Sequence, residues 1–222
     1  MKIVIVGGGT AGWITAAFFI KHTIGHDITV IESSKIGILG AGEGSTSNFG
    51  KMLMLLDIDQ KDFFKKTNAT VKKGLELVNW TAQNDIIYHI MIGEDKTNKT
   101  GYAFHFDAKL TANYLKTISV ERGINHIDGT VKDINSIDGN VTSVVLENSD
   151  VIDLDFIFDC SGFARVVIGK LHNEKWINYS KYLLLNKAFG FFLPQTNVYE
   201  FEEKTTTELT SMNCGWMWKV PL

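Results

Sequence analysis

The residues with the clearest capacity for chemistry are glycines and acids at fixed spacing. In Lys2 to Gly12, KIVIVGGGTAG, Gly7, Gly9 and Gly12 stand at the G-x-G-x-x-G positions. Gly7 permits a tight turn, Gly9 lets backbone approach a pyrophosphate, and Gly12 lets the following helix pack closely on the strand. Glu32 follows twenty positions beyond Gly12. A carboxylate there can accept hydrogen bonds from both hydroxyls of a ribose and repels a 2′-phosphate. Asp159 ends a second apolar run, DFIFDCSG, at a strand's carboxyl end, where doubly wound sheets bind their ligands, so it is expected beside the same cofactor. Gly40, Gly42 and Gly44 around Glu43 can also bring backbone close to a bound ligand. His105 and Asp107 in AFHFD have metal-ligand chemistry, but two further candidates at suitable spacing are lacking. The pair is read as ordinary polar residues, and no metal is expected.

The elements that position these groups follow from hydrophobic period. Ile3 to Val6 and Ile28 to Ile31 read as strands buried on both faces, with a helix from Trp13 to about His22 between them. Helices are expected at Phe49–Leu56, Phe63–Lys66 and Asp107 to about Arg122, the last capped by Asp107 and stopped by Gly123. Val71–Trp80 and Ile86–Ile92 read as strands, and GEDKTNKT as a solvated loop. Three strands, Ile127–Ile134, Val141–Leu146 and Val151–Leu154, with a turn at Asp138-Gly139-Asn140, form an antiparallel meander. From Phe163 the chain turns aromatic and ends in GWMWKVPL, with Trp216 and Trp218 on one face and nothing following to cover them, so the chain reads as unfinished and prone to self-association.

The 222 residues are 45% hydrophobic and 21% charged, with a net charge of -3. That composition suits a folded protein of one or two domains and argues against a nucleic-acid-binding surface. Cys160 and Cys214 are the only cysteines, which makes no disulfide framework. The first strand begins at Lys2, leaving no room for a signal peptide, and no apolar run nears the roughly 18 residues a membrane span needs. The expectation is a cytoplasmic protein with no membrane partner.

Six stretches in order resemble one family. GGGTAGW at Gly7–Trp13 is similar to a flavin fingerprint, and LGAGEGST at Leu39–Thr46 to a GxGEAT flavin strap. TVKKGLELVNW at Thr70–Trp80 is similar to a segment holding a catalytic lysine. YAFHFDA at Tyr102–Ala108, DFIFDCSGF at Asp155–Phe163 and GWMWKVP at Gly215–Pro221 complete the set, the last resembling a W-x-W-x-I-P motif. Together they resemble the N-terminal part of flavin-dependent halogenases of the tryptophan-halogenase family. Val220 stands in place of the motif's isoleucine, Gly44 stands where the strap more often has alanine, and family members are roughly twice as long, an expectation consistent with ordinary domain sizes.

The resemblance implies an α/β fold, an FAD-binding Rossmann-like domain of the flavin monooxygenase (p-hydroxybenzoate hydroxylase-like) type with an inserted antiparallel meander and an incomplete substrate region. Residues 1–165 would form the FAD-binding domain, 47–100 contributing the catalytic lysine and substrate-side elements, and 166–222 the start of a truncated substrate-side region. Flavin contacts are implied at Gly7, Gly9, Thr10, Ala11, Gly12, Glu32, Gly42, Glu43, Val131, Asp159 and Gly162, with Trp216, Trp218 and Pro221 near the flavin. The implied reaction uses FADH2 from a separate flavin reductase, O2 and a halide to make hypohalous acid, which Lys72 passes to an electron-rich aromatic such as an indole. Lys72 stands two before Gly74, as the motif requires, while Lys73 would project to the opposite face of a strand. Read without the motif, both lysines are solvated charges. A related flavin monooxygenase and a non-catalytic, truncated flavin-binding protein are the alternatives.

Overall fold

The computed structural model describes residues 1–38, 40, 42–91, 103–171, 174–193 and 204–222. Leu39 and Ala41 of the strap, Ile92, the GEDKTNKT loop, Tyr102 and Pro194 lie outside the described residues. The chain divides into two compact units, Met1–Leu39 with Ala112–Asn178, and Gly40–Thr111 with Tyr179–Leu222. In chain order the first elements are β1 (Lys2–Val6), α1 (Thr10–His22), β2 (Asp27–Glu32), β3 (Gly42–Gly44), α2 (Asn48–Leu55) and α3 (Gln60–Thr67). Next come β4 (Thr70–Lys72), β5 (Gly74–Val78), β6 (Ile86–Ile90), β7 (Ala103–Asp107) and α4 (Ala108–Glu121). The chain continues through β8 (Asn125–Asp128), β9 (Val131–Ile137), β10 (Asn140–Leu146), β11 (Val151–Asp153) and β12 (Phe156–Asp159). It closes with α5 (Val166–Leu171), β13 (Thr206–Met212) and β14 (Gly215–Lys219).

The first unit is built on a parallel sheet of order β12-β1-β2-β8. Ile3 to Val6 are all buried, as a strand covered on both faces requires. β12 returns parallel to β1 and sets Asp159 beside Val6, so the expected α/β arrangement of one βαβ unit, a meander and a returning strand is what forms. The meander is β11-β10-β9, and its tight turn places Asp138 and Gly139 at φ 50° and 78°, the conformation of a type I′ hairpin. Val4, Val6 and Ile31 of the sheet share a core cluster with Val131, Val144 and Leu146 of the meander. The strand expected over Ile127–Ile134 is two strands: β8 joins the parallel sheet and β9 the meander. The change of sheet falls at Gly129 and Thr130, where Gly129 N–H donates to the carbonyl of Glu32 and a Cβ at Gly129 would lie 3.1 Å from Leu146.

The second unit contains an antiparallel sheet β3-β7-β4 and a mixed sheet β14-β13-β5-β6, in which β13 and β5 run parallel. Buried Phe63 and Phe104 anchor its core, and Phe49 stacks on Phe106 at 4.9 Å, geometry that adds to simple area burial. The run Val71–Trp80 breaks at Lys73, whose N–H donates to the Thr205 carbonyl and whose carbonyl accepts from Met91. The break lets β4 and β5 serve different sheets. At Gly74 a Cβ would lie 2.4 Å from the His89 carbonyl oxygen, so only glycine fits there. Asp107 caps α4, its Oδ1 accepting from Leu110 N–H at 2.8 Å, as its position before an apolar helical run predicts.

Candidate functional site

In the first unit the glycine turn is shaped by what surrounds it. Gly7 has φ +115°, and a Cβ there would lie 2.2 Å from the Cys160 carbonyl oxygen; a Cβ at Gly12 would lie 1.9 Å from the Gly7 carbonyl oxygen. Both are obliged to be glycine by close backbone approach. A Cβ at Gly9 would meet nothing within 4 Å, so that position faces open space. Thr10 and Ala11 begin α1, whose first turn carries no acidic residue and no side-chain cap. The first turn of α1 thus supplies no charge or cap of its own to answer the positive end of the helix dipole. Gly8, which the spacing does not single out, is constrained too: its Cβ would fall 1.6 Å from Glu32 Oε2.

Glu32 is held firmly. Its Oε1 lies 2.5 Å from Lys116 Nζ and 3.0 Å from His126 Nε2, and its Oε2 accepts from Trp13 Nε1 at 3.2 Å. This leaves Oε2 with one open acceptor site. Asp159 is equally engaged: Oδ1 accepts from Ser161, and Oδ2 accepts from the N–H groups of Val167 and Ile168 at 2.9 and 3.1 Å. Burial would raise its carboxyl pKa, but these hydrogen bonds outweigh it and hold the group below the usual carboxylate range. Val131 buries its side chain in the core on β9, the edge of the meander. Gly162 has φ +61° with open space around its Cβ direction. A cavity of about 390 Å³ opens after the ends of β2 and β8, lined by Ser33, Ser34, Asp128, Thr130, Leu146 and Asn148 among others.

In the second unit, register assembles a face. β7 pairs Thr70 with His105 and Lys72 with Ala103 on one side, and Gly44 with His105 on the other. Opposed residues share a face and alternate residues return to it, so Gly44, His105, Ala103, Thr70 and Lys72 lie on one side of the sheet. Ala103 and Gly44 are small, and the lysine chain crosses over them: a Cβ at Gly44 would lie 2.7 Å from Lys72 Nζ. Lys72 is 7% exposed, whereas Lys73 is exposed. Among the described residues the Lys72 amine has one hydrogen bond, to the Ser45 carbonyl at 3.5 Å, the outer limit of such a bond. Among the described residues no carboxylate pairs with it. Burial, uncompensated, pushes its pKa down from that of an ordinary lysine.

Beside Lys72 sits His105, fully buried, with Nε2 2.8 Å from Thr207 Oγ1 and Nδ1 3.3 Å from Thr70 Oγ1. Burial, with the Lys72 charge adding to it, lowers its pKa to about 4. Thr70 Oγ1 donates onward to the Pro221 carbonyl at 2.8 Å. Val220 and Leu222 also approach the strap, where a Cβ at Gly42 would lie 2.8 Å from Leu222. The strap, the Lys72 strand and the tail of the W-x-W-x-V-P segment thus converge. Trp216 and Trp218 alternate on β14 with rings 5.5 Å apart, and each is roughly half exposed. His105 and Asp107 do not act together: the first joins the two threonines and the second caps α4. Sequence reading missed Lys116 and His126 as partners of Glu32, and Thr70 and Thr207 as partners of His105. The periodicity of those stretches gives no signal for them.

The family profile described as tryptophan halogenase matches residues 2–94 and 90–222. Tryptophan 7-halogenase RebH of Lentzea aerocolonigenes is 27% identical over 283 residues, covering 100% of this chain and 53% of the relative. The structure of Xcc4156, a flavin-dependent halogenase from Xanthomonas campestris, superposes with a TM-score of 0.86 at 25% identity, covering 100% of this chain and 53% of that one. Tryptophan 6-halogenase SttH from Streptomyces toxytricini, at 23% identity and a TM-score of 0.85 over 100% of this chain and 55% of its own, shares the fold. The chain spans about half the length of the curated relatives it matches. With the profile matched along nearly its whole length and the α/β fold of flavin-dependent halogenases, the chain belongs to the tryptophan halogenase family.

Proposed function

We propose that this chain is the FAD-binding and lysine-bearing portion of a flavin-dependent halogenase acting on a tryptophan-like aromatic. The observation that carries the reading is Lys72: a buried amine with no carboxylate partner among the described residues, seated on the small residues of the sheet that also holds the strap and that the tail of the W-x-W-x-V-P segment approaches. Residues 1–165 are proposed as the FAD-binding part, with the lysine-bearing elements within 47–100. The glycine turn fits a pyrophosphate, since Gly9 faces open space below an uncapped helix start. Gly7, Gly12, Thr10 and Ala11 would form that cradle, Glu32 would receive one ribose hydroxyl on Oε2, and the backbones of Val131 and Gly162 with Asp159 would complete the contacts. Gly42 and Glu43 keep the role that the strap motif implies.

Bound in its reduced form, FAD supplies the two electrons that, with two from a halide, reduce dioxygen to water and hypohalous acid. The chain's own contribution is at Lys72. As a neutral amine, Nζ can take the halogen from hypohalous acid and release water; as an ammonium, it can donate a hydrogen bond that polarises the O–halogen bond. Burial lowers its pKa and so favours the neutral amine relative to a solvated lysine, while the protonated form remains a donor. Ala103 and Gly44, being small, let the lysine chain lie across its own sheet face. Reduced FAD is proposed to arrive by diffusion from a separate flavin reductase, as the resemblance implies. The exposed pair Trp216 and Trp218 is proposed to suit self-association.

The test is mass spectrometry of an aromatic panel, tryptophan and indoles included, incubated with the chain, FAD, a flavin reductase, NADH, and chloride, bromide or iodide in separate tubes. A halogen mass shift that disappears in Lys72→Ala is the expected result. Hydroxylated product independent of halide would replace the reading with a monooxygenase. Absence of product with FAD still bound would make the chain a flavin-binding portion without turnover of its own.

A further inference from the structure

The proton count along the hydrogen bonds of His105 is fixed by its neighbours. A threonine hydroxyl has one proton to give, and a proline carbonyl can only accept. Thr70 donates its proton to the Pro221 carbonyl at 2.8 Å, so toward His105 it must accept, and Nδ1 must carry a hydrogen. The neutral ring then presents a lone pair at Nε2, which accepts from Thr207 Oγ1 at 2.8 Å. The chain runs in one direction, Thr207 to His105 to Thr70 to Pro221, with every member satisfied.

Those two ends are the two legs of one hairpin. Thr207 lies near the start of β13, and the ladder between β13 and β14 ends at the pair Glu208 and Lys219. Pro221 lies just past that last pair, where the ladder no longer holds the backbone. We propose that His105, as its Nδ1–H tautomer, is a positioning residue that clamps the base of the β13–β14 hairpin to the sheet carrying Lys72, and so holds the W-x-W-x-V-P segment in register with the lysine. Thr70 is the joint: it bonds Pro221 and stands two residues from Lys72 on the same face of β4. A cationic ring would disturb this clamp, because it needs an acceptor at both nitrogens while it faces Lys72, the charged group among the described residues that acts on it. The catalytic meaning of the clamp rests on the proposed halogenase reading, but the clamp itself does not.

Two measurements on the flavin-free chain test it. In 15N-histidine-labelled protein, the two-bond proton–nitrogen pattern of His105 is expected to be that of the Nδ1–H tautomer and to stay unchanged from pH 8 to pH 5. An Nε2–H pattern, or titration with an ordinary midpoint of about 6.5, would overturn the assignment. In hydrogen exchange read by mass spectrometry, Thr70→Val is expected to speed exchange in the peptide covering 213–222 by about fivefold, the loss of one net hydrogen bond, and Thr70→Ser to restore the wild-type rate. Exchange in Thr70→Val equal to wild type, or in Thr70→Ser equal to Thr70→Val, would reduce Thr70 to a packing residue and overturn the clamp. A chain that makes no halogenated product would leave both readouts intact.

Discussion

The glycine turn of the first unit and the Lys72 sheet of the second both depend on missing side chains, and they use the vacancy differently. At Gly7 and Gly12 the absent Cβ is replaced by backbone carbonyl oxygen, so the space is already filled and the glycines are structural necessities. At Gly9 nothing lies within 4 Å, and at Gly44 the vacant position is taken by the flexible end of Lys72. Backbone cannot yield without moving a strand or a helix, whereas a lysine end can move. The first unit therefore presents a rigid shape, and the second a reactive group whose position depends on what packs around it.

Breaking the second region has the largest expected effect. Lys72→Ala removes the one group proposed to handle the halogen, and halogenated product should fall by about 10³-fold, within the range for losing a proton-handling or nucleophilic side chain. FAD affinity, measured by fluorescence quenching, should stay within about twofold of wild type.

Acid sharpens the contrast. Burial holds the folded His105 pKa at about 4 against an ordinary value of 6.5, so between those values the unfolded chain binds the extra proton. Stability is full above about pH 6.5 and is lost as pH falls toward 4, by about 3 kcal/mol in all. Urea unfolding across that range should show the loss, and His105→Asn should flatten the part of the slope that comes from this residue.

Gly12→Ala drives a methyl into the Gly7 carbonyl and should destabilise the chain by about 2 kcal/mol, the usual cost of overpacking a tight site. Thermal unfolding would register it. Gly9→Ala is the companion: its unfolding midpoint should match wild type, while FAD binding weakens by about tenfold, since only the proposed pyrophosphate contact needs that space. Equal thermal effects of the two substitutions would erase the distinction between filled and open glycines.

Much of the first unit was legible because its signals are local. Strand, glycine turn, helix and second strand follow within 32 residues, and the Asp138-Gly139 turn declares its hairpin. The strand break at Gly129 was not legible, since a single glycine inside an apolar run does not reveal that the chain changes sheets. In the second unit the lysine was legible through its motif and its small neighbour Gly74, but its environment was not. His105 meets Thr70 and Thr207 across 35 and 102 positions, and threonines at such separations carry no pattern. Glu32 likewise finds Lys116 84 positions away. The spacing marks Glu32 as a candidate ribose acceptor, but the residues that orient it carry no pattern.

The central claim is that Lys72 is an amine kept out of water, with no counter-charge among the described residues. Its direct measurement is the pH titration of lysine ε-carbons by 13C NMR in the labelled chain, with Lys72→Met used to assign the resonance. The account predicts that Lys72 titrates below the ordinary lysine value. A midpoint at or above the ordinary lysine value of about 10.4 would show a solvated or paired ammonium, and would contradict the role given to it.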